Sequence, residues 1–308
     1  WTGRRISVEK AQEKSGVDEV RFLPSLSDTL HALAQDKNFV PALDTETQQA
    51  LSELFVEKLK LQGHTQIIKI GPILTELRMC KQPCELEMIR QAIQVCNEVL
   101  FSVAPLFKKE TTELEIFAAL ECELMKRGCL MPAFPTIVAG NKNVFYLHHT
   151  EPSGAIIEKG DLVQIDFGAI VGGLCSDISR VFPVGGTFSE RQKVLYNMVR
   201  KCQKKAFSYI RSGVTLAQIN AEVRAVAASL LIEAGVMTTD DDVGEYVWHN
   251  AVHHLGMDVH DVCERENPLE IGVVLAVEPG IYIPKWGIGF RIEDDIEIRE
   301  ECCIVLSE

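Results

Sequence analysis

The sequence predicts a mixed α/β fold, of the α+β kind, in which two similar halves are related by a pseudo-twofold axis. Three observations predict it. Residues 162–170 and 174–184 are rich in β-branched and apolar side chains and flank Gly172-Gly173, a two-residue hairpin signal. Three words of the Thr/Ser-x-x-Glu/Gln type open helical stretches. The order helix, helix, histidine, hairpin with two carboxylates then occurs twice, about a hundred residues apart.

Taken in order, residues 1–76 read as the end of a preceding domain and a linker, and 77–308 as the main domain. An amphipathic helix is expected over 44–61, a short strand over 66–70 and the linker over 71–76. A helix follows from Cys84 to about Val103. Thr112 with Glu115 makes a capping box for the next helix, which ends near Gly128. His148 and the first hairpin come after it. In the second half Ser189 with Gln192 opens a helix whose apolar face is Val194, Leu195, Met198, Val199, Cys202, Ala206 and Ile210. Thr215 with Gln218 opens another, stopping at Gly235. His253 and a second hairpin, strands 273–278 and 289–298 around Lys285-Trp286, complete the copy. Pro279 inside it cannot donate to a ladder.

The hairpins carry the chemistry. A loop at Gly172-Gly173 places Asp166 opposite Ser179, with Asp177 two residues along on the same face, so the two Cα atoms are about 7–8 Å apart. A loop at Lys285-Trp286 likewise places Glu278 opposite Glu293. Paired carboxylates on apolar strands repel one another and carry a large desolvation cost. A bound cation removes both. An oxygen-rich set with one imidazole suits two divalent ions of the Mn, Co or Zn type better than a structural zinc. A lone strand Asp or Glu is ordinarily a turn or solvated residue, and a lone His a packed one. Here six of the eight histidines (His148, His149, His249, His253, His254 and His260) cluster beside the hairpins. Asp166-Phe167-Gly168 also invites a kinase reading, but no glycine-rich phosphate loop, His-Arg-Asp or Ala-Pro-Glu accompanies it.

Composition excludes other classes. The net charge of -13 argues against a nucleic-acid groove and an anionic membrane surface. No apolar run approaches a membrane span, and no signal-peptide pattern is read at the start. The ten cysteines are scattered with no CxxC pair, so reduced thiols and a cytoplasmic location are expected.

Five words then carry a resemblance: Asp166 and Asp177 in their hairpin, His253-x-Leu255-Gly256-x-x-x-His260-Asp261, Val277-Glu278-Pro279-Gly280 and Arg291-Ile292-Glu293-Asp294-Asp295. In that order they resemble the pita-bread metallopeptidases, the family of methionine aminopeptidase, prolidase and aminopeptidase P, over about residues 77–308. With Leu147-His148-His149-Thr150 and Phe182-Pro183-Val184, the wording is nearest that of the bacterial-type aminopeptidase P branch. Trp1-Thr2-Gly3-Arg4-Arg5 resembles a segment late in the family's N-terminal domain, so a truncated N-terminal domain is expected. The resemblance implies a hydrolase with two divalent ions, Mn2+ foremost and Co2+ or Zn2+ as alternatives. It further implies release of the first residue from peptides with an N-terminal Xaa-Pro, and a homo-oligomer. By the same resemblance Asp166 binds one ion, His253 and Glu278 the other, and Asp177 and Glu293 bridge. Glu278 takes the proton of the attacking water, and His148 and His260 stabilise the tetrahedral intermediate or shuttle a proton. Arg291 shares strand parity with Glu293 and so orients that carboxylate or reaches substrate. His249 is an additional candidate with a structural role as the alternative. Prolidase, which shares the five ligands, and a non-catalytic pita-bread binding module are the competing readings. Cys263 and the short Lys285-Trp286 connection depart from the family wording without touching a proposed ligand.

Overall fold

The computed structural model describes residues 6–21, 28, 31–33, 35, 40–44, 56–57, 59–60, 66–264 and 266–307. It divides into two compact units, Trp1–Leu74 and Thr75–Glu308. In the first, helix α1 (Val8–Ser15) starts at Ser7, whose hydroxyl accepts from the Lys10 N–H, and stops at Gly16 with φ 67°. Strands β1 (Ala42–Leu43) and β2 (Ile68–Lys69) pair in parallel. The helix expected over 44–61 lies largely outside the described residues, as do residues 1–5. Where the sequence suggests a linker over 71–76, the chain forms helix α2 (Gly71–Met79). Pro72 suits a first helical turn because its φ is already helical and its missing N–H is not needed there.

In the second unit the two halves are built alike. Helix α3 (Pro83–Val103) starts on a Gln82–Glu85 capping box, and α4 (Glu113–Lys126) on the Thr112–Glu115 box. Ahead of α4, strand β3 (Thr111–Thr112) pairs with β5 (Ile156–Ile157). Strand β4 (Ile137–Gly140) lies beside β6 (Leu162–Phe167), which pairs with β9 (Ile178–Pro183). The hairpin is finished by β7 (Ile170–Val171) and β8 (Leu174–Cys175). The second half repeats this with α5 (Glu190–Tyr209) and α6 (Leu216–Glu233), opened by the Ser189–Gln192 and Thr215–Gln218 boxes. Strand β10 (Val252–His254) flanks β11 (Val274–Val277), and a ribbon of β12 (Gly280–Ile283) and β13 (Ile288–Arg291) follows. Strand β14 (Asp294–Ile298) then pairs with β11 and β15 (Cys303–Val305).

Each helix pair covers its own sheet. Ala92, Cys96 and Val99 of α3 and Ile116 and Leu120 of α4 pack with Val163, Ile165 and Ile178. Leu195, Val199 and Cys202 of α5 and Ile219 and Val223 of α6 pack with Val252, Leu275 and Val277. Each buried Val, Leu or Ile among them contributes about 1.5–3 kcal/mol. One member of the expected α5 stripe falls outside it: Val194, at the stripe's edge, is exposed. Among the described residues no helix is long and apolar enough to cross a membrane.

Both hairpins keep the register that their loops dictate. Asp166 pairs with Ser179 and Ile170 with Cys175, while Val277 pairs with Asp294 and Gly280 with Arg291. Regular pairing lapses once in each. In the first, a Cβ on Gly168 would lie 1.9 Å from the Ser176 carbonyl oxygen, so only glycine permits the close approach of the strands beside Asp177. In the second, Pro279 has no N–H to offer beside Glu278.

Candidate metal centre

Each lapse in the ladder releases carboxylates toward one cavity of about 660 Å3. Asp166, Asp177, His253, Glu278 and Glu293 line it together with His148, His249, His260 and Arg291, so all nine sequence-predicted residues meet there. Phe134, Pro135, Ile137, Leu147 and Val259 supply its apolar wall.

His253 sets the electrostatics. Its Nδ1 donates to the carbonyl of His254 at 3.0 Å, which leaves Nε2 facing three carboxylates. Nε2 stands 3.5 Å from Asp177 Oδ2, 3.6 Å from Glu293 Oε1 and 3.9 Å from Glu278 Oε1. Ligand atoms of Asp177, His253 and Glu293 all lie within 4.8 Å of one another. Three buried oxygens, Asp166 Oδ1, Asp177 Oδ1 and Glu293 Oε1, have no hydrogen-bond partner. Buried acceptors without donors are rare because each forfeits its hydration. The titration behaviour shows the same strain. Burial and the charges of Glu293 and Asp166 hold the Asp177 carboxyl well above its usual range. Burial and the Glu293 charge push Glu278 up to about 8. Burial alone would lower His253, but the neighbouring Asp177, Glu293 and Glu278 carboxylates outweigh it and raise the imidazole well above its ordinary value. Cations would satisfy every one of these groups at once, so the donor set fits divalent ions.

Surrounding residues hold the carboxylates. Glu293 Oε2 accepts from the Ser179 hydroxyl at 2.8 Å, leaving Oε1 toward the cavity. Asp295, fully buried, accepts from the Asp177 N–H at 3.0 Å through Oδ2. Arg180 pairs with Asp294 at 2.7 Å. Lys81 meets Asp261 at 3.1 Å, both side chains buried, and Arg78 also pairs with Asp261, so the loop carrying His260 is tied to the end of α2 and the connection that leads into α3. None of these partners is legible in the sequence, because 100 or more residues separate each pair.

Strand parity places Arg291 with Glu293. The structure instead pairs it with Asp166: Nε donates at 2.9 Å and Nη2 also donates to Oδ2. Alternation fails because Ile292 and Glu293 lie in the ladder lapse between β13 and β14. Arg291 Nη2 also donates to the Leu147 carbonyl at 3.1 Å. His249 contacts the Tyr282 hydroxyl through Nε2 at 3.1 Å, and burial followed by the Arg291 charge pushes it down to about 4. It is therefore a neutral imidazole. His148 and His260 are exposed at the cavity, the latter edge-on to His253 with ring centroids 4.4 Å apart.

Matched carboxylate hairpins and one imidazole on a pseudo-twofold α/β frame define a metal-dependent hydrolase. The chain belongs to metallopeptidase family M24, whose sequence model matches residues 87–300. It is 32% identical over 322 residues to the Xaa-Pro aminopeptidase of Haemophilus influenzae, covering 97% of this chain and 73% of that protein. The structure of proline aminopeptidase P II from Yersinia pestis matches with a TM-score of 0.89 at 30% identity, covering 100% of this chain and 77% of that one. A Xaa-Pro dipeptidase from Pyrococcus horikoshii is 31% identical over 300 residues, covering 96% and 80%. The fold is the pita-bread fold, and the family's chemistry employs divalent metal ions.

Proposed function

We propose that this protein is a dinuclear-metal aminopeptidase that releases the first residue from peptides with proline in the second position. The observation that carries it is the meeting of Asp177, His253 and Glu293 donor atoms within 4.8 Å, flanked by Asp166 and Glu278, in a chain similar to Xaa-Pro aminopeptidases. In this reading Asp166 would hold one ion, His253 and Glu278 would hold the other, and Asp177 and Glu293 would serve both. Orphaned oxygens on Asp166, Asp177 and Glu293 support that division. Two divalent ions bound there would supply Lewis-acid polarisation of a carbonyl and acidify a water. Manganese is our choice of native ion, with cobalt or zinc as alternatives, since the set is mostly oxygen.

The chain's own residues do the rest. Glu278 Oε1 faces His253 at 3.9 Å and lines the cavity, where it takes the proton of the attacking water. His148 and His260 donate toward the oxyanion. Arg291 holds one Asp166 oxygen and turns the other toward the cavity. The apolar wall formed by Phe134, Pro135 and Ile137 suits a pyrrolidine ring. A proline residue lacks an N–H and fixes its own φ, so a pocket shaped for its ring selects it. Ten free cysteines support a cytoplasmic location.

The metal-loaded protein is expected to cleave Xaa-Pro-Xaa peptides and leave Xaa-Ala-Xaa nearly untouched, as followed by release of the first amino acid. Likeness to the Pyrococcus dipeptidase supports a second reading, prolidase. Cleavage confined to Xaa-Pro dipeptides would establish that one, and cleavage of neither would favour a binding module.

A further inference from the structure

The segment from Gly140 to Ser153 carries His148 to the cavity, and a single buried side chain gathers it. Glu113, the first residue of α4, is 1% exposed. Its Oε1 accepts from the Gly140 N–H at 2.6 Å and from Asn143 Nδ2 at 2.8 Å. Its Oε2 accepts from the Ser153 N–H at 2.8 Å and from His149 Nε2 at 3.1 Å. Four donors spread over 14 residues therefore converge on one carboxylate. Gly140 and Ser153 are the two ends of the segment, and His149 is the neighbour of His148.

Other features show that the segment is held against resistance. Asn141, next to Gly140, is the one non-glycine among the described residues in the left-handed region, at φ 54°. Gly140 itself has no room for a side chain, because a Cβ would lie 2.7 Å from Ile157 Cδ1 and 3.4 Å from Glu113 Oε1. On the other side of His148, the Leu147 carbonyl accepts from Arg291 at 3.1 Å. His148 is thus flanked by two anchored neighbours, one tied to the Arg291–Asp166 pair and the other to Glu113.

We propose that Glu113 is a positioning residue for the reaction: its carboxylate clamps residues 140–153 and so fixes where His148 presents its imidazole in the cavity. This rests on the assignment of His148 to the chemistry made above. Glu113 is outside the cavity and touches neither substrate nor the carboxylate cluster, so it acts only through the segment. Burial alone would raise its carboxyl, but the bonds from Asn143, Gly140, Ser153 and His149 outweigh that and hold it below the usual range. The clamp is therefore a charged acceptor at neutral pH. Its seat on the first turn of α4 favours the charge as well.

The test is Glu113→Gln, which leaves one acceptor oxygen where two stood, so at least one pair of donors loses its partner. It is expected to lower kcat about tenfold, part of the roughly 10²–10⁴ that a positioned proton donor supplies. KM and bound metal should change little. Amide exchange should quicken at Gly140 or Ser153. Combined with His148→Ala, it should cost no more than about a further twofold, since residues acting as a unit are not additive. Thr112→Ala, which removes the cap of the same helix, should keep kcat. An unchanged exchange pattern, an unchanged kcat, a full tenfold loss in the His148→Ala background, or an equal loss in Thr112→Ala would each overturn the clamp. Full activity of His148→Ala alone would instead sink the role of His148 on which the proposal rests.

Discussion

His253 has one ring nitrogen committed and one exposed to negative charge. Nδ1 must donate, because its partner is the His254 carbonyl, and Nε2 then presents either a lone pair or a second proton to Asp177, Glu278 and Glu293. That geometry supports the ligand role proposed for it. His260 packs edge-on to His253 with ring centroids 4.4 Å apart and is exposed at the cavity, which suits the proposed role as a donor to substrate. His253→Ala is therefore expected to lower both bound metal and turnover, and His260→Ala to lower turnover about a hundredfold with metal content nearly unchanged. Metal analysis of the two purified variants decides it: equal metal contents would show the roles to be misassigned. The gathering of Asp166, Asp177, His253, Glu278 and Glu293 at one cavity was legible at this scale because each sits in a short word with its own spacing. The partner of Arg291 was not, since parity counting assumes an unbroken ladder and the ladder lapses at Glu293. Asp295, Ser179 and Glu113 act through tertiary contacts, which no local pattern encodes.

The elements that a local rule governs are the ones that sequence reading places well. Three capping boxes, at Thr112, Ser189 and Thr215, form as their spacing predicts, because the hydroxyl and the N3 side chain satisfy each other's backbone N–H within one turn. Hairpin register is equally local: a fixed loop sets every partner above it. What the rule omits is where pairing stops. The lapses depend on Gly168 approaching Ser176 and on Pro279 lacking a donor, and both deliver carboxylates to the cavity. Cap and site are thus separable. Thr215→Ala is expected to cost about 1 kcal/mol, seen as a fall in Tm of about 2–4 °C, with metal content and kcat unaltered. A loss of activity at a temperature where the variant is folded would tie α6 to catalysis through β10, which it packs against.

At the scale of the whole molecule, the pseudo-twofold fold stores unfavourable charge where its halves meet, and ions relieve it. Asp177, Glu278 and His253 all have folded-state values raised above the ordinary 3.8, 4.5 and 6.5. A raised group contributes stability below its unfolded value and loses that contribution as pH climbs through the folded one. All three therefore make the metal-free protein weaker toward alkaline pH. Two buried histidines act oppositely. Burial, followed by the Arg291 charge for His249 and the Lys81 charge for His254, pushes each down to about 4, so their neutral forms lose stability as pH falls from 6.5 toward 4. Above about 6.5 only the first set changes. Protein treated with a chelator is thus expected to show a Tm that declines from pH 6.5 to 9, and Glu278, at about 8, falls inside that window. Ions that bind only the folded state raise its stability by mass action, and they do so most where the carboxylates are most ionised. Adding manganese should therefore raise Tm more at pH 8.5 than at pH 6.5 and flatten the decline. Scanning calorimetry at the two pH values, with and without the ion, tests this. A metal-free Tm that rises with pH across the window, or an equal gain at both values, would remove the cluster as the origin of the effect.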